Sequence, residues 1–160
     1  MMGVMRTAGW RGNVLTYGRH ADVEVEIPTG KHSSVNLNFV WRPFPENVTE
    51  FLSLGLPAVK HADMILVSTS LWHMLHIADA HNYQEQMALL QSSLSKSPMP
   101  VRCPILSTVS EVFEQRLPLH KRATMTSATV DAYNKALDSS TVYKTFSPLD
   151  MFSLTYGERM

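Results

Sequence analysis

The stretch Ala62-Asp63-Met64-Ile65-Leu66-Val67-Ser68-Thr69-Ser70-Leu71-Trp72-His73-Met74-Leu75-His76 decides the fold. Ile65, Leu66 and Val67 follow one another without alternation, the pattern of a strand buried on both faces. The run then stops at three small hydroxyl residues and a tryptophan. In open α/β sheets ligands sit just past the carboxyl ends of such strands. Small residues there let a ligand approach the backbone, and an indole offers a wide flat contact. The block therefore marks where a site would lie, without naming its chemistry.

Working outward, residues 22–27 alternate Val23, Val25 and Ile27 with Glu24 and Glu26. Pro28-Thr29-Gly30-Lys31 is a turn signal. Val35, Leu37 and Phe39 alternate with Asn36 and Asn38 over residues 35–41, and Pro43 and Pro45 end the run. Two neighbouring strands, a long hairpin, are expected. Residues 47–55 read as a short helix closed by Gly55, with Pro57 beyond. Tyr83, Met87, Leu90 and Leu94 stand at helical spacing in 81–96, which Pro98 and Pro100 stop. Val101, Cys103, Ile105, Leu106 and Val109 read as a strand with an irregular start at Pro104. A second helix covers 126–138, capped by Thr126 or Ser127 and facing inward with Val130, Tyr133 and Leu137. A short strand from Val142 to Phe146 and a helical turn over Pro148–Phe152 complete the reading. Strands alternating with helices imply an α/β fold: a parallel sheet flanked by helices on both sides, in three layers.

Composition narrows the class. The 160 residues allow one domain with a proper core. Lys and Arg number 14, as do Asp and Glu, and no basic stripe occurs, which argues against nucleic acid or an anionic membrane surface. Apolar runs are too short to cross a bilayer, and the first ten residues lack the apolar segment of a signal peptide. The single cysteine, Cys103, reads as a small buried hydrophobe or as half of a disulfide with a partner outside the chain. Asn47-Val48-Thr49 is a glycosylation sequon in an expected surface loop, which slightly favours a secretory compartment.

Three strings resemble one family: Leu37-Asn38-Phe39-Val40-Trp41-Arg42-Pro43, the strand and Trp72 block, and Lys121-Arg122-Ala123-Thr124-Met125-Thr126 running into Asp131-Ala132-Tyr133-Asn134. Their order and spacing resemble the luminal SGNH-type domain of sialate O-acetyltransferases, Cas1-domain membrane proteins of the Golgi, and more distantly the PC-esterase domains of plant cell-wall polysaccharide O-acetyltransferases. The resemblance spans about residues 35–155. It implies an SGNH-hydrolase-like sheet and an acyl-serine mechanism, with acetyl-CoA as the donor and sialic acid or a polysaccharide as the acceptor. It also implies a Golgi-lumen location, with membrane attachment only through segments not present here. The family's nucleophile lies in Gly-Asp-Ser and its base in Asp-x-x-His. Neither string occurs in this sequence. The resemblance thus implies a single partial domain over 1–160, a fragment incomplete at both ends. No residue is assigned a catalytic role and no bound cofactor is expected. A non-catalytic glycan- or partner-binding domain using Trp72 and Trp41 is the other class, and a defective gene fragment a third.

Ser70 reads as an oxyanion donor or simply as a small residue at a strand end; no glycine flanks it as a nucleophile elbow requires. Trp72 stands where many SGNH enzymes carry Gly-x-Asn, and reads as a pocket wall or as packing under the next helix. His73 could reach the same pocket. His73, His76, Asp79 and His81 have spacings that could place ligands on one helical face, but a metal site needs three or four converging ligands, and exposed loop histidines are the simpler expectation. His120-Lys121-Arg122 reads as a solvated turn. Tyr133 reads as a core residue with a bonded hydroxyl, and Asn134 as satisfying a neighbouring loop.

Overall fold

The computed structural model describes residues 22–54, 62–96 and 102–156. They belong to two compact units, one ending at Trp41 and one beginning at Arg42. Gly55, Pro57, Pro98, Pro100 and Val101, read above as helix stops and a strand start, lie outside the described residues.

In the first unit, β1 (Val23–Pro28) and β2 (Ser34–Phe39) pair antiparallel as the alternation predicts. The register opposes Val23 to Phe39, Val25 to Leu37 and Ile27 to Val35, so all six apolar side chains share one face. Glu24 opposes Asn38 and Glu26 opposes Asn36 on the other. The Thr29 N–H donates to the Ser33 carbonyl at 2.9 Å to close the turn. A Cβ on Gly30 would come within 2.9 Å of Ser33 Oγ, a side-chain tip that would have to turn aside. The second strand stops at Phe39, two residues before the sequence reading ended it. Beyond it, the Asp22 carboxylate accepts the Trp41 N–H at 2.7 Å, and this side-chain bond replaces the ladder.

The second unit opens with α1 (Pro45–Ser53). Proline at the first turn is pre-set for a helix and gives up only an amide that would be unbonded anyway, so the helix starts two residues before the expected one. Val48 and Leu52 turn inward. This corrects the surface-loop reading of the sequon: Asn47 lies half-buried in the first helical turn, and the Thr49 hydroxyl donates to the Pro45 carbonyl at 2.9 Å. Then follow β3 (Ile65–Val67), α2 (Ser70–His76), α3 (Ala80–Lys96), β4 (Pro104–Ser107), a 3-10 turn (Glu114–Arg116), α4 (Leu119–Arg122), α5 (Ser127–Ser139), a second 3-10 turn (Val142–Lys144), β5 (Ser147–Leu149) and α6 (Met151–Tyr156).

The three later strands form a parallel sheet in the order β3-β4-β5. Pro104 opens β4, a position that needs no ladder amide, and Pro148 sits on β5 at the end of that order. Register partners in a parallel pair share a face, so Val67 and Leu106 point together. They join Met74, Tyr83, Met87, Leu90, Val130, Tyr133 and Leu137 in one core, which places α2, α3 and α5 over that face. Leu66 points the other way and is 55% exposed. The reading of this strand as buried on both faces is therefore corrected: among the described residues its helical cover lies on one side.

The expected strand over Val142–Phe146 is also corrected. Ser140 Oγ donates to the Leu137 carbonyl at 2.7 Å and accepts the Val142 N–H at 3.2 Å, so side-chain bonds turn the chain. The N–H groups of Thr145 and Phe146 then both bond the Val142 carbonyl. Val142 and Phe146 reach the core as a turn-spaced pair, not as alternate strand positions.

Candidate functional site

The carboxyl end of β3 leads through Ser68 and Thr69 into α2. Thr69 and Ser70 are both buried, and Thr69 Oγ1 lies 3.4 Å from the Tyr83 hydroxyl. Burial pushes the Tyr83 phenol up to about 12, against the opposing pull of bonds to Thr69 and Ser70. Ser70 is thus buried on the side of Tyr83 in α3.

His73 is the centre of the cluster. It is fully buried, which corrects its reading as an exposed loop histidine. Nε2 lies 3.0 Å from Asn82 Oδ1 and Nδ1 lies 2.7 Å from the Tyr133 hydroxyl. An amide oxygen only accepts, so Nε2 carries the proton and Nδ1 accepts from Tyr133. Burial raises the Tyr133 phenol above its ordinary range. The His73 ring packs against Tyr83 at 5.1 Å and Tyr133 at 5.6 Å between centroids, and Phe44 meets it edge-on at 6.4 Å. Both ring nitrogens are committed, so the imidazole joins α2, α3 and α5.

The corner between α2 and α3 makes this possible. The N–H groups of Ile77 and Ala78 both donate to the His73 carbonyl, at 2.8 and 3.1 Å, and Ala78 takes a left-handed φ of 56°. Asp79 then caps α3, its Oδ1 accepting from the N–H groups of His81 at 2.9 Å and Asn82 at 3.0 Å. The Asn82 amide is the main reason its carboxyl is held below the usual range. His76 and His81 are exposed, and His81 pairs with Glu85 at 3.4 Å. The His73, His76, Asp79 and His81 set does not converge, and no group of three or more metal-ligating side chains occurs among the described residues.

Trp72 is half-buried and outside the core cluster. Its ring lies 4.4 Å from that of His76, tilted by 46°, and Phe44 meets His76 edge-on at 6.4 Å. The three rings form an aromatic patch beside the buried hydroxyls.

The other two strand ends are tied in the same manner. Asn134 brackets Val109, two residues beyond β4: its Oδ1 accepts the Val109 N–H at 2.9 Å and its Nδ2 donates to the Val109 carbonyl at 3.4 Å. Tyr133 and Asn134 thus do what their positions in the sequence suggest, one in the core and one on a loop. After β5, Asp150 caps α6 through the hydroxyl and N–H of Ser153, which hold its carboxyl low. Thr108 Oγ1 accepts the Phe152 N–H at 3.1 Å, and the Glu111 N–H donates to Thr155 Oγ1 at 2.9 Å. The sequence reading missed this Asp150–Thr108–Thr155 rim. Its available signal was an Asp three residues before Ser153 at a helix start. His120-Lys121-Arg122 lies apart in α4, where the Arg122 guanidinium donates to the carbonyls of Leu117 and Gln115. Cys103 is a half-buried free thiol.

The described part of the second unit is therefore an α/β domain whose three parallel strands end in a cross-bonded polar rim with an aromatic patch beside it. No family model and no solved structure matches the chain. A stretch of 76 residues is 28% identical to Protein ALTERED XYLOGLUCAN 9 of Arabidopsis thaliana, covering 48% of this chain and 20% of that protein. The match spans about a fifth of the relative's length.

Proposed function

We propose that the chain is part of an SGNH-type carbohydrate O-acetyltransferase or acetylesterase that works through an acyl-serine intermediate. The observation that carries this reading is the similarity to a protein named for xyloglucan, a plant cell-wall polysaccharide. The position of the polar rim supports it, since chemistry in open α/β sheets sits at the carboxyl ends of strands. Acetyl-CoA is the proposed donor, a polysaccharide or sialic acid the proposed acceptor, and the Golgi lumen the proposed compartment.

In this reading the 160 residues supply scaffold and pocket wall. Ser70 is buried, and the His73 imidazole has both ring nitrogens committed. Neither Gly-Asp-Ser nor Asp-x-x-His occurs in the sequence. These facts also favour the second reading, a non-catalytic glycan-binding domain. Two measurements test the proposal. Full-length transcripts should carry a Gly-Asp-Ser upstream and an Asp-x-x-His downstream in the same frame. The purified chain should not hydrolyse p-nitrophenyl acetate above buffer. Transcripts lacking both strings favour the binding domain, and turnover abolished by Ser70→Ala overturns the scaffold role.

A further inference from the structure

We infer that the basic turn between the end of the first 3-10 turn and α5 binds a phosphoryl group, a role that does not depend on the acetyl-transfer reading. From Gln115 to Val130 the sequence has three Lys or Arg and no Asp or Glu, although the whole chain is balanced. Arg116 and Arg122 are exposed and Lys121 is half-buried. None of the three is ion-paired to a carboxylate among the described residues. The carboxylate just before the run, Glu114, accepts the Ser127 N–H at 2.8 Å and is thereby turned to the start of α5.

The turn faces solvent and is nevertheless held. Leu117 and Met125 pack against the core from either end of it. The Lys121 N–H bonds the Pro118 carbonyl at 2.9 Å, and the Met125 N–H bonds the Lys121 carbonyl at 2.9 Å. Arg122 Nε donates to the Leu117 carbonyl at 2.9 Å and its Nη2 to that of Gln115 at 3.1 Å. These two bonds lay its guanidinium along the backbone on either side of Arg116. The Arg116 guanidinium in turn lies 5.1 Å from the centre of the Phe113 ring. Both arginines are thus ordered before a ligand arrives, which lowers the entropy cost of binding one. A guanidinium fork matches the oxygens of a phosphate and of a carboxylate alike, so charge decides between them. Against three cations a single carboxylate leaves an excess of like charge. A phosphomonoester brings about two negative charges and three acceptor oxygens.

The test is titration calorimetry of the whole chain with inorganic pyrophosphate at low salt, beside flotation on phosphatidylcholine vesicles that carry phosphatidic acid. Arg116→Gln and Lys121→Gln should each weaken pyrophosphate binding about tenfold, the loss of one charge-assisted bond. Lys135→Gln removes a cation from α5 outside the turn and should leave binding unchanged. Circular dichroism confirms that each variant keeps its fold. Pyrophosphate binding without flotation upholds the inference and assigns the site to a free phosphorylated molecule. Pyrophosphate binding with flotation upholds it and assigns the site to a lipid headgroup; Leu119→Ser should then release the vesicles alone, since Leu119 is 79% exposed in the turn. Absence of saturable pyrophosphate binding overturns the inference. An equal loss in all three variants overturns it as well, because general attraction to cations behaves that way. Sialyllactose bound as tightly as pyrophosphate, and weakened by the same two variants, makes the turn a carboxylate site and likewise overturns it.

Discussion

Replacing Tyr133 by Phe should cost about 2 kcal/mol of folding stability. The ring stays, so the packing against Tyr83 at 5.0 Å and His73 at 5.6 Å between centroids is kept. Only the hydroxyl goes, and with it the bond to His73 Nδ1 at 2.7 Å. His73 is fully buried, so no water reaches the vacated Nδ1. An acceptor left unsatisfied in a buried site costs about 1–3 kcal/mol. For a chain of this size that is a fall of roughly 4–8 °C in melting temperature. Urea unfolding followed by circular dichroism measures it, and the midpoint should fall with an unchanged slope. The cause can be separated from general damage by a double-mutant cycle with His73→Leu. Once the imidazole is gone, the lost hydroxyl no longer strands its acceptor, so the double variant should lose less than the sum of the two singles. A Tyr133→Phe variant within about 0.5 kcal/mol of the parent, or strictly additive losses, would refute the clamp, because a satisfied surface-like phenol behaves that way.

Ala78→Gly should raise stability by about 0.5–1 kcal/mol, since its φ of 56° strains a side chain that glycine lacks; a loss in thermal unfolding would show that the corner is not strained. Tyr143→Phe and Ser107→Ala should each change stability by less than about 1 kcal/mol or improve it, because both hydroxyls are buried without a partner; a larger loss in urea would reveal a bond that each makes. Alkaline pH should unfold the chain between pH 10 and 12: burial raises Tyr83 and Tyr143 from 10.0 to about 12, so stability holds below 10 and falls as pH climbs through the folded values. Flat stability through that window, read by circular dichroism, would show the phenols are not buried. Asp79 and Asp150 act in the opposite direction, held low by helix-capping amides and hydroxyls, so stability should fall as pH drops below the ordinary carboxylate value of 3.8. Asp79→Asn should flatten that acid limb in a pH titration of the unfolding midpoint, and an unaltered limb would exclude Asp79 as its source.

The parts of the fold that were legible in the sequence are those set by local period. Glu24 and Glu26 between Val23, Val25 and Ile27 announce a strand with two unlike faces, and the register keeps that division. Tyr83, Met87 and Leu90 are all buried on one side of α3, and Thr126 caps α5 by accepting the Thr129 N–H. Where period misled, a non-local or side-chain bond had taken over. Leu66 follows the apolar run but is 55% exposed. Val142 and Phe146 fit two periods equally well, and the Ser140 hydroxyl decides for the turn. His73 could not be placed from its neighbours because its partner Tyr133 lies 60 residues away. A histidine next to a half-buried tryptophan reads as exposed until the residue that answers it is known.

The candidate site was legible in location and not in construction. Its block of small hydroxyls after β3 marks a strand end, and Asp131-Ala132-Tyr133-Asn134 marks a second, conspicuous string with no stated partner. The structure shows why the two strings go together. Successive residues Tyr133 and Asn134 leave α5 in different directions: one donates to His73 beside the end of β3, the other brackets Val109 beyond β4. A single helical turn therefore fixes the ends of two adjacent strands. Buried polar bonds of this kind cost desolvation unless every member is answered, so they are poor filler and good spacers. The apolar core could hold the sheet together without them; what they add is a defined distance between the Thr69–Ser70 end and the Val109 loop. A pocket wall at the rim of a parallel sheet would require the same fixed spacing.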